Sequence, residues 1–260
     1  MLKRYGVNIP VGAVYSDDYS SCEEDVLRFE RYRVHCKRLI ERGMVYNRII
    51  SGGIDKEDKD YPRAVRVYRE LLSRAEDRSV TVLCVGLMTA VAELLISSGD
   101  EISPLSGEEL VKRKVKRVIT MGIPENVPDF NWGMDAYAAE VFFDKCKAPI
   151  DISPEGQEII TGAHLSSRLE DDHPLRLAYE TWLGKRDAGR SSWDLVATLS
   201  AIDENALELE YRPMGDCHYD ASEMRLNVGT VTDGLIRLIA TRCDAEMIAR
   251  VLDRYMLGEY

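Results

Sequence analysis

The run SVTVLCVGLMTAVAELLIS does most to restrict the fold: a short apolar, β-branched stretch ends at Gly86, and Leu87, Val91, Leu94 and Leu95 then fall at helical spacing. That is a strand, a tight turn and a helix. KVKRVITMG repeats the arrangement, with a strand ending near Met121 and Gly122, a loop, and a helix from about Asp135 through AYAAEVFFDKC. APIDIS supplies a further strand. Strands alternating with helices predict an α/β fold built on an open, mostly parallel sheet flanked by helices.

Around this centre, IPVGAV reads as a strand, and EEDVLRFERYRVHCKRLIERG as a helix closed by Gly43. YPRAVRVYRELLSRAED is a helix with Pro62 near its first turn, and SSWDLVATLSAI begins another with Ser191 or Ser192 as N-cap. The tail reads as two strands, EMRLNVGTV and LIRLIA, and a last helix, DAEMIARVLDRYML. With no repeat and no long linker, residues 1–260 are expected to form a single domain. The start, MLKRYG, resembles the last turn of a helix with Gly6 just past its end, although an isolated turn is costly to nucleate. The expectation is a chain that begins partway through an element.

Thirty-four basic against forty-five acidic residues leave a formal charge of −11, and the basic residues are scattered, so a nucleic-acid backbone is an unsuitable partner. The six cysteines show no C-x-x-C pair, and several sit in apolar runs, which fits a reducing compartment. There is no signal-like apolar start and no stretch near the roughly 18 apolar residues of a membrane span. A cytoplasmic protein is expected from these residues, or an exported one if a leader precedes Met1.

In an open parallel sheet, ligands bind beyond the carboxyl ends of the strands. The positions there are Val85 and Gly86, Met121 with the loop holding Asp129 and Asn131, and the start of the helix at Trp193 and Asp194. Asp and Asn two residues apart are, by themselves, ordinary loop residues whose short side chains bond to nearby backbone. Asp194 alone is an ordinary first-turn acid. Four histidines spread singly do not make a zinc site, no G-x-S-x-G frames a serine nucleophile, and VGLMTA has one glycine where a dinucleotide loop has three.

Taken in order, VTVLCVGLMTAVAELL, VKRVITMG, DFNWGMDAYAAEVFF and SSWDLVATLSAI resemble the inosine/uridine-preferring nucleoside hydrolases, from about residue 8 to near the end. DEISPLSGEELVKRKVK resembles a bacterial branch of that family. The resemblance implies a nucleoside-hydrolase-like fold and a calcium-dependent N-ribohydrolase that takes a small-molecule nucleoside to ribose and free base. It places ribose binding on Asp129 and Asn131, where DFN stands for the family's E-F-N, and on Met121 below the sugar. It places calcium on Asp194 and on the backbone carbonyl of Val85. The usual His before the late Asp is Trp193, which stacks on a base but has no proton to give as a general acid. Family members are commonly oligomeric, which favours a homo-oligomer.

The family's opening D-x-D-P-G-x-D-D run, with its calcium carboxylates and water-activating Asp, has no counterpart. Asp17 and Asp18 in YSDDYSS fall where the family has a variable loop. The first elements of the family fold are therefore expected to be missing, no catalytic base is assigned, and calcium is expected to be weakly held or absent. Two functions are carried forward: a nucleoside hydrolase impaired in the chain as it stands, and a non-catalytic descendant that binds a ribosyl ligand or a partner.

Overall fold

The computed structural model describes residues 5–15, 30–42, 58–125, 128–230 and 234–259. Helix α1 (Glu30–Glu41) comes first, and α2 (Ala64–Arg74) follows Pro62. The expected strand–turn–helix is β1 (Val80–Cys84) with α3 (Thr89–Ile96). Next, α4 (Gly107–Lys114) runs directly into β2 (Val115–Met121). The short α5 (Phe130–Met134) leads to α6 (Ala136–Lys145) and then β3 (Ile150–Ser153).

The chain continues through β4 (Ile160–Thr161), α7 (Leu165–Arg168), α8 (Pro174–Leu183) and β5 (Arg190–Ser191) to α9 (Trp193–Ile202). After these come β6 (Leu209–Pro213), β7 (Cys217–Asp220), β8 (Arg225–Val228), β9 (Ile236–Thr241) and α10 (Ala245–Met256).

The central sheet has the order β1-β2-β3-β9-β6. Its first four strands are parallel, and β6 runs antiparallel to β9. The sheet is thus the expected open, mostly parallel one, and helices cover both faces, which explains why β2 and β3 are buried along almost their whole length. On one face, Val118, Ile150 and Ile152 pack with Leu94, Ala138 and Phe142 of α3 and α6. On the other, Ile119, Met121 and Ile239 pack with Ala197 of α9. Side chains alternate between faces along a strand, and paired residues of parallel neighbours share a face. Met121 pairs with Ser153, so both point toward α9.

Local chemistry accounts for several boundaries. Ser106 and Glu109 form a reciprocal capping box that starts α4, with basic residues filling its last turn. Asp151, fully buried in β3, accepts both arms of Arg237 at 2.7 and 2.9 Å, and Arg117 donates to Tyr211 Oη at 2.7 Å. These charges lie on the α9 side of the sheet and are paired, as buried charges must be.

Three expectations need correction. IPVGAV forms no strand; it makes only a bridge between Ala13 and Arg63, with Ala64 N–H donating to the Ala13 carbonyl at 2.7 Å. Its backbone lies against the start of α2, where a Cβ on Gly12 would sit 2.7 Å from Ala64 Cα. The stretch between Met121 and Asp135 is not all loop, because α5 forms within it. EMRLNVGTV contributes a shorter strand than expected, paired antiparallel with β7 in a hairpin apart from the central sheet. Gly6 has φ +65°, the left-handed value of a helix-ending glycine, while residues 1–4 and Asp17 and Asp18 lie outside the described residues.

Candidate functional site

The loop after β2 is assembled by its own side chains. Asp129 is 3% exposed, and its two carboxylate oxygens accept from Trp132 N–H and Ile123 N–H, both at 3.0 Å. One bond caps α5 and the other fastens the loop to the strand end. Burial pushes the Asp129 carboxyl above its ordinary pKa, and the backbone donors led by Trp132 pull it back. Asn131 donates from Nδ2 to the Met121 carbonyl at 3.3 Å and to Met121 Sδ at 3.1 Å. The amide is thereby seated on the end of β2.

Trp132 lies beneath this loop. Its indole N–H donates to Thr120 Oγ1 at 3.1 Å, and a Cβ on Gly122 would come within 2.2 Å of its ring. Asp135 accepts from Ala138 N–H at 3.2 Å and from Thr89 Oγ1 at 2.6 Å, joining the starts of α6 and α3.

The start of α9 is held by the turn after β3. Gly156 O accepts from Ser192 N–H at 2.9 Å, and a Cβ on Gly156, whose φ is +148°, would sit 2.3 Å from Trp193 Cα. Ser192 occupies the expected N-cap position but makes no side-chain cap bond. Its hydroxyl is already engaged, 2.6 Å from Thr161 Oγ1 and donating to the Arg190 carbonyl at 3.0 Å. Trp193 is half-buried and packs against the Ile119, Met121 and Ile239 cluster.

Asp194 faces a cleft of about 190 Å³ whose lining includes Tyr179, Arg190, Ser191 and Trp193. Crowding by the protein pushes its carboxyl above the ordinary range, and Arg190 opposes that shift. Val85 is the first residue after β1; because Cys84 pairs with Thr120, the register brings Val85 level with Met121. Met121, Asn131 and Trp193 are thus gathered at one strand end, with Asp129 securing the loop behind them. The cleft at Asp194 is lined by none of Val85, Asp129 or Asn131.

Among the described residues, no three His, Cys, Asp or Glu side chains stand together as a metal site. Asp194 and the Val85 carbonyl would be two of the roughly six to eight oxygen ligands that calcium takes, and these residues alone do not fit that ion.

Sequence reasoning missed Ser153. This last residue of β3 is fully buried beside Met121, and its hydroxyl has no hydrogen-bond partner among the described residues. The indole N–H of Trp193 shares that condition. A single serine after IDI at a strand end carries no signal in the sequence, and only the sheet register sets it beside Met121.

No family model matches the chain, and no curated protein matches it. Solved structures do. An inosine-guanosine nucleoside hydrolase aligns with a TM-score of 0.57 at 17% identity, covering 82% of this chain and 73% of that one. The effector protein XOO4466 aligns with a TM-score of 0.55 at 14% identity, covering 76% of this chain and 64% of its own length. The inosine-uridine preferring nucleoside hydrolase of Bacillus anthracis aligns with a TM-score of 0.46 at 15% identity, covering 78% and 69%. At these identities the shared property is the fold.

Proposed function

We propose that the chain binds a ribonucleoside at the carboxyl edge of its sheet and hydrolyses the N-glycosidic bond to give ribose and free base. The observation that carries this reading is the seating of Asn131 on Met121 at the end of β2, in a fold like that of the inosine-guanosine nucleoside hydrolase. Asn131 Oδ1, which the bonds to Met121 leave out, suits the donors of a sugar diol, and Asp129 fixes the loop that carries it. Met121 provides an apolar floor. Trp193 offers an aromatic surface to the base. Cleavage builds positive charge on the sugar; Asp194 stands next to Trp193, in a cleft that Met121 and Asn131 do not line.

A second reading is a non-catalytic ribosyl-binding protein of the same fold. It is favoured by Trp193, which has no proton to give to a leaving base, and by the lack of a carboxylate cluster among the described residues. Calcium plays no step in either reading, since Asp194 and Val85 do not complete a site for it.

The test is ribose release from inosine and from uridine by the unaltered protein and by Asn131→Ala. Hydrolysis that falls at least tenfold with Asn131→Ala, a loss of about 1.4 kcal/mol in transition-state stabilisation, supports the hydrolase. Inosine binding without ribose release supports the binding protein. Neither binding nor release overturns both.

A further inference from the structure

We propose that the Ser153 hydroxyl and the Trp193 indole N–H form a pair of ligand-binding groups that together hold one hydroxyl of the ribosyl ligand. This rests on the site reading above and adds to it a residue outside the loop after β2. Ser153 has no exposed surface, and neither Ser153 Oγ nor Trp193 Nε1 has a hydrogen-bond partner among the described residues. A buried donor is costly to leave unsatisfied, so two on the same side of a strand end call for a partner.

The geometry points to a ligand. Ser153 pairs with Met121 in the sheet, and parallel partners share a face, so its side chain points toward α9. Trp193 opens α9 and packs on the cluster that contains Met121. Each of the two groups is therefore a neighbour of Met121, whose carbonyl and sulfur already hold the Asn131 amide.

Ile119, Ile239 and Ala197 belong to this cluster, and the charges of Asp151, Arg117 and Arg237 that lie further along the same face are paired with one another. An indole N–H only donates, while a serine hydroxyl donates and accepts. A single sugar hydroxyl matches that pair: its oxygen accepts from Trp193, and its proton goes to Ser153 or its second lone pair accepts from it. A phosphate or carboxylate would need a cation, and the arginines on this face are already engaged by Asp151 and Glu204. Trp193 is half-buried while Ser153 is fully buried, so Trp193 is the member of the pair that presents exposed surface to an approaching ligand.

The test combines calorimetric titration with ribose and thermal unfolding of the unaltered chain, Ser153→Ala, Trp193→Phe and Asn131→Ala. Removing an unsatisfied hydroxyl is expected to leave the Ser153→Ala unfolding midpoint unchanged or raised, while ribose affinity falls about tenfold, the loss of one hydrogen bond. Trp193→Phe keeps the aromatic packing, loses the N–H, and is expected to weaken ribose to a similar degree.

Unchanged ribose affinity in both variants, with Asn131→Ala weakened, overturns this proposal and leaves the site reading standing. A lowered midpoint for Ser153→Ala with unchanged affinity means that buried water satisfies the hydroxyl, and it also overturns the proposal. Absence of ribose binding by the unaltered chain overturns the proposal and the site reading together.

Discussion

Asp129 holds its loop with both carboxylate oxygens, whereas Asn131 spends only its amide nitrogen on Met121. Replacing each therefore has a different consequence. Asp129→Ala removes a helix cap and a strand-end tie, and should cost about 0.5–2 kcal/mol of stability for the cap alone; chemical denaturation measures it. Asn131→Ala should spare most stability and act on ligand. Equal stability losses in the two would contradict this division.

A second residue-scale prediction concerns Arg69, which is buried and meets Asp100 with two contacts of 2.8 Å. The Arg69 guanidinium is the main cause that holds the Asp100 carboxyl down at about 2, below the usual carboxylate range. A carboxyl whose folded pKa is depressed stabilises fully above its unfolded pKa and loses that contribution as pH falls through the folded value. Asp100→Asn should thus lower the unfolding midpoint at pH 7, and the gap from the unaltered protein should close between about pH 4 and pH 2. A gap that stays constant across that range would remove the ion pair as its cause.

At the scale of elements, the turn after β3 decides where α9 begins, and with it the positions of Trp193 and Asp194. Gly156→Ala places a Cβ 2.3 Å from Trp193 Cα at a φ of +148°. The strained backbone alone costs about 1–3 kcal/mol. The variant should unfold at lower temperature and bind ribose more weakly, read by thermal unfolding and calorimetry; full affinity would show that the site does not depend on this turn.

Elements with strong periodicity were legible beforehand. The VTVLC and VITM runs became β1 and β2, and AYAAEVFFDK became α6. By contrast, α5 is five residues long, too short for helical periodicity, and depends on the Asp129 cap and the Trp132 ring under Gly122. IPVGAV has strand-like composition, but strand formation is a property of a pair, and its partner here is the start of α2. Ser153 was illegible as a site residue because one serine at a strand end carries no signal until the register sets it beside Met121.

For the whole molecule, the parallel order β1-β2-β3-β9 brings the residues after several strands to one edge, although they are far apart in sequence. The positions of Val85 and Met121 follow from that topology, which is why a strand–helix alternation could anticipate them, whereas the start of α9 is set by the turn after β3. Topology alone does not say what the edge binds. The lining of the cleft at Asp194, with Tyr179 and Arg190, came from α8 and β5, which sequence periodicity had not brought near Asp194.

The account stands on a ribosyl ligand meeting this edge at Met121, and methyl NMR of methionine-labelled protein titrated with inosine tests that directly, with Met121→Leu to assign the signal. The Met121 methyl resonance should move progressively to saturation, while that of Met247, 40% exposed on α10, stays in place. A Met121 signal unmoved by inosine at millimolar concentration would contradict the account.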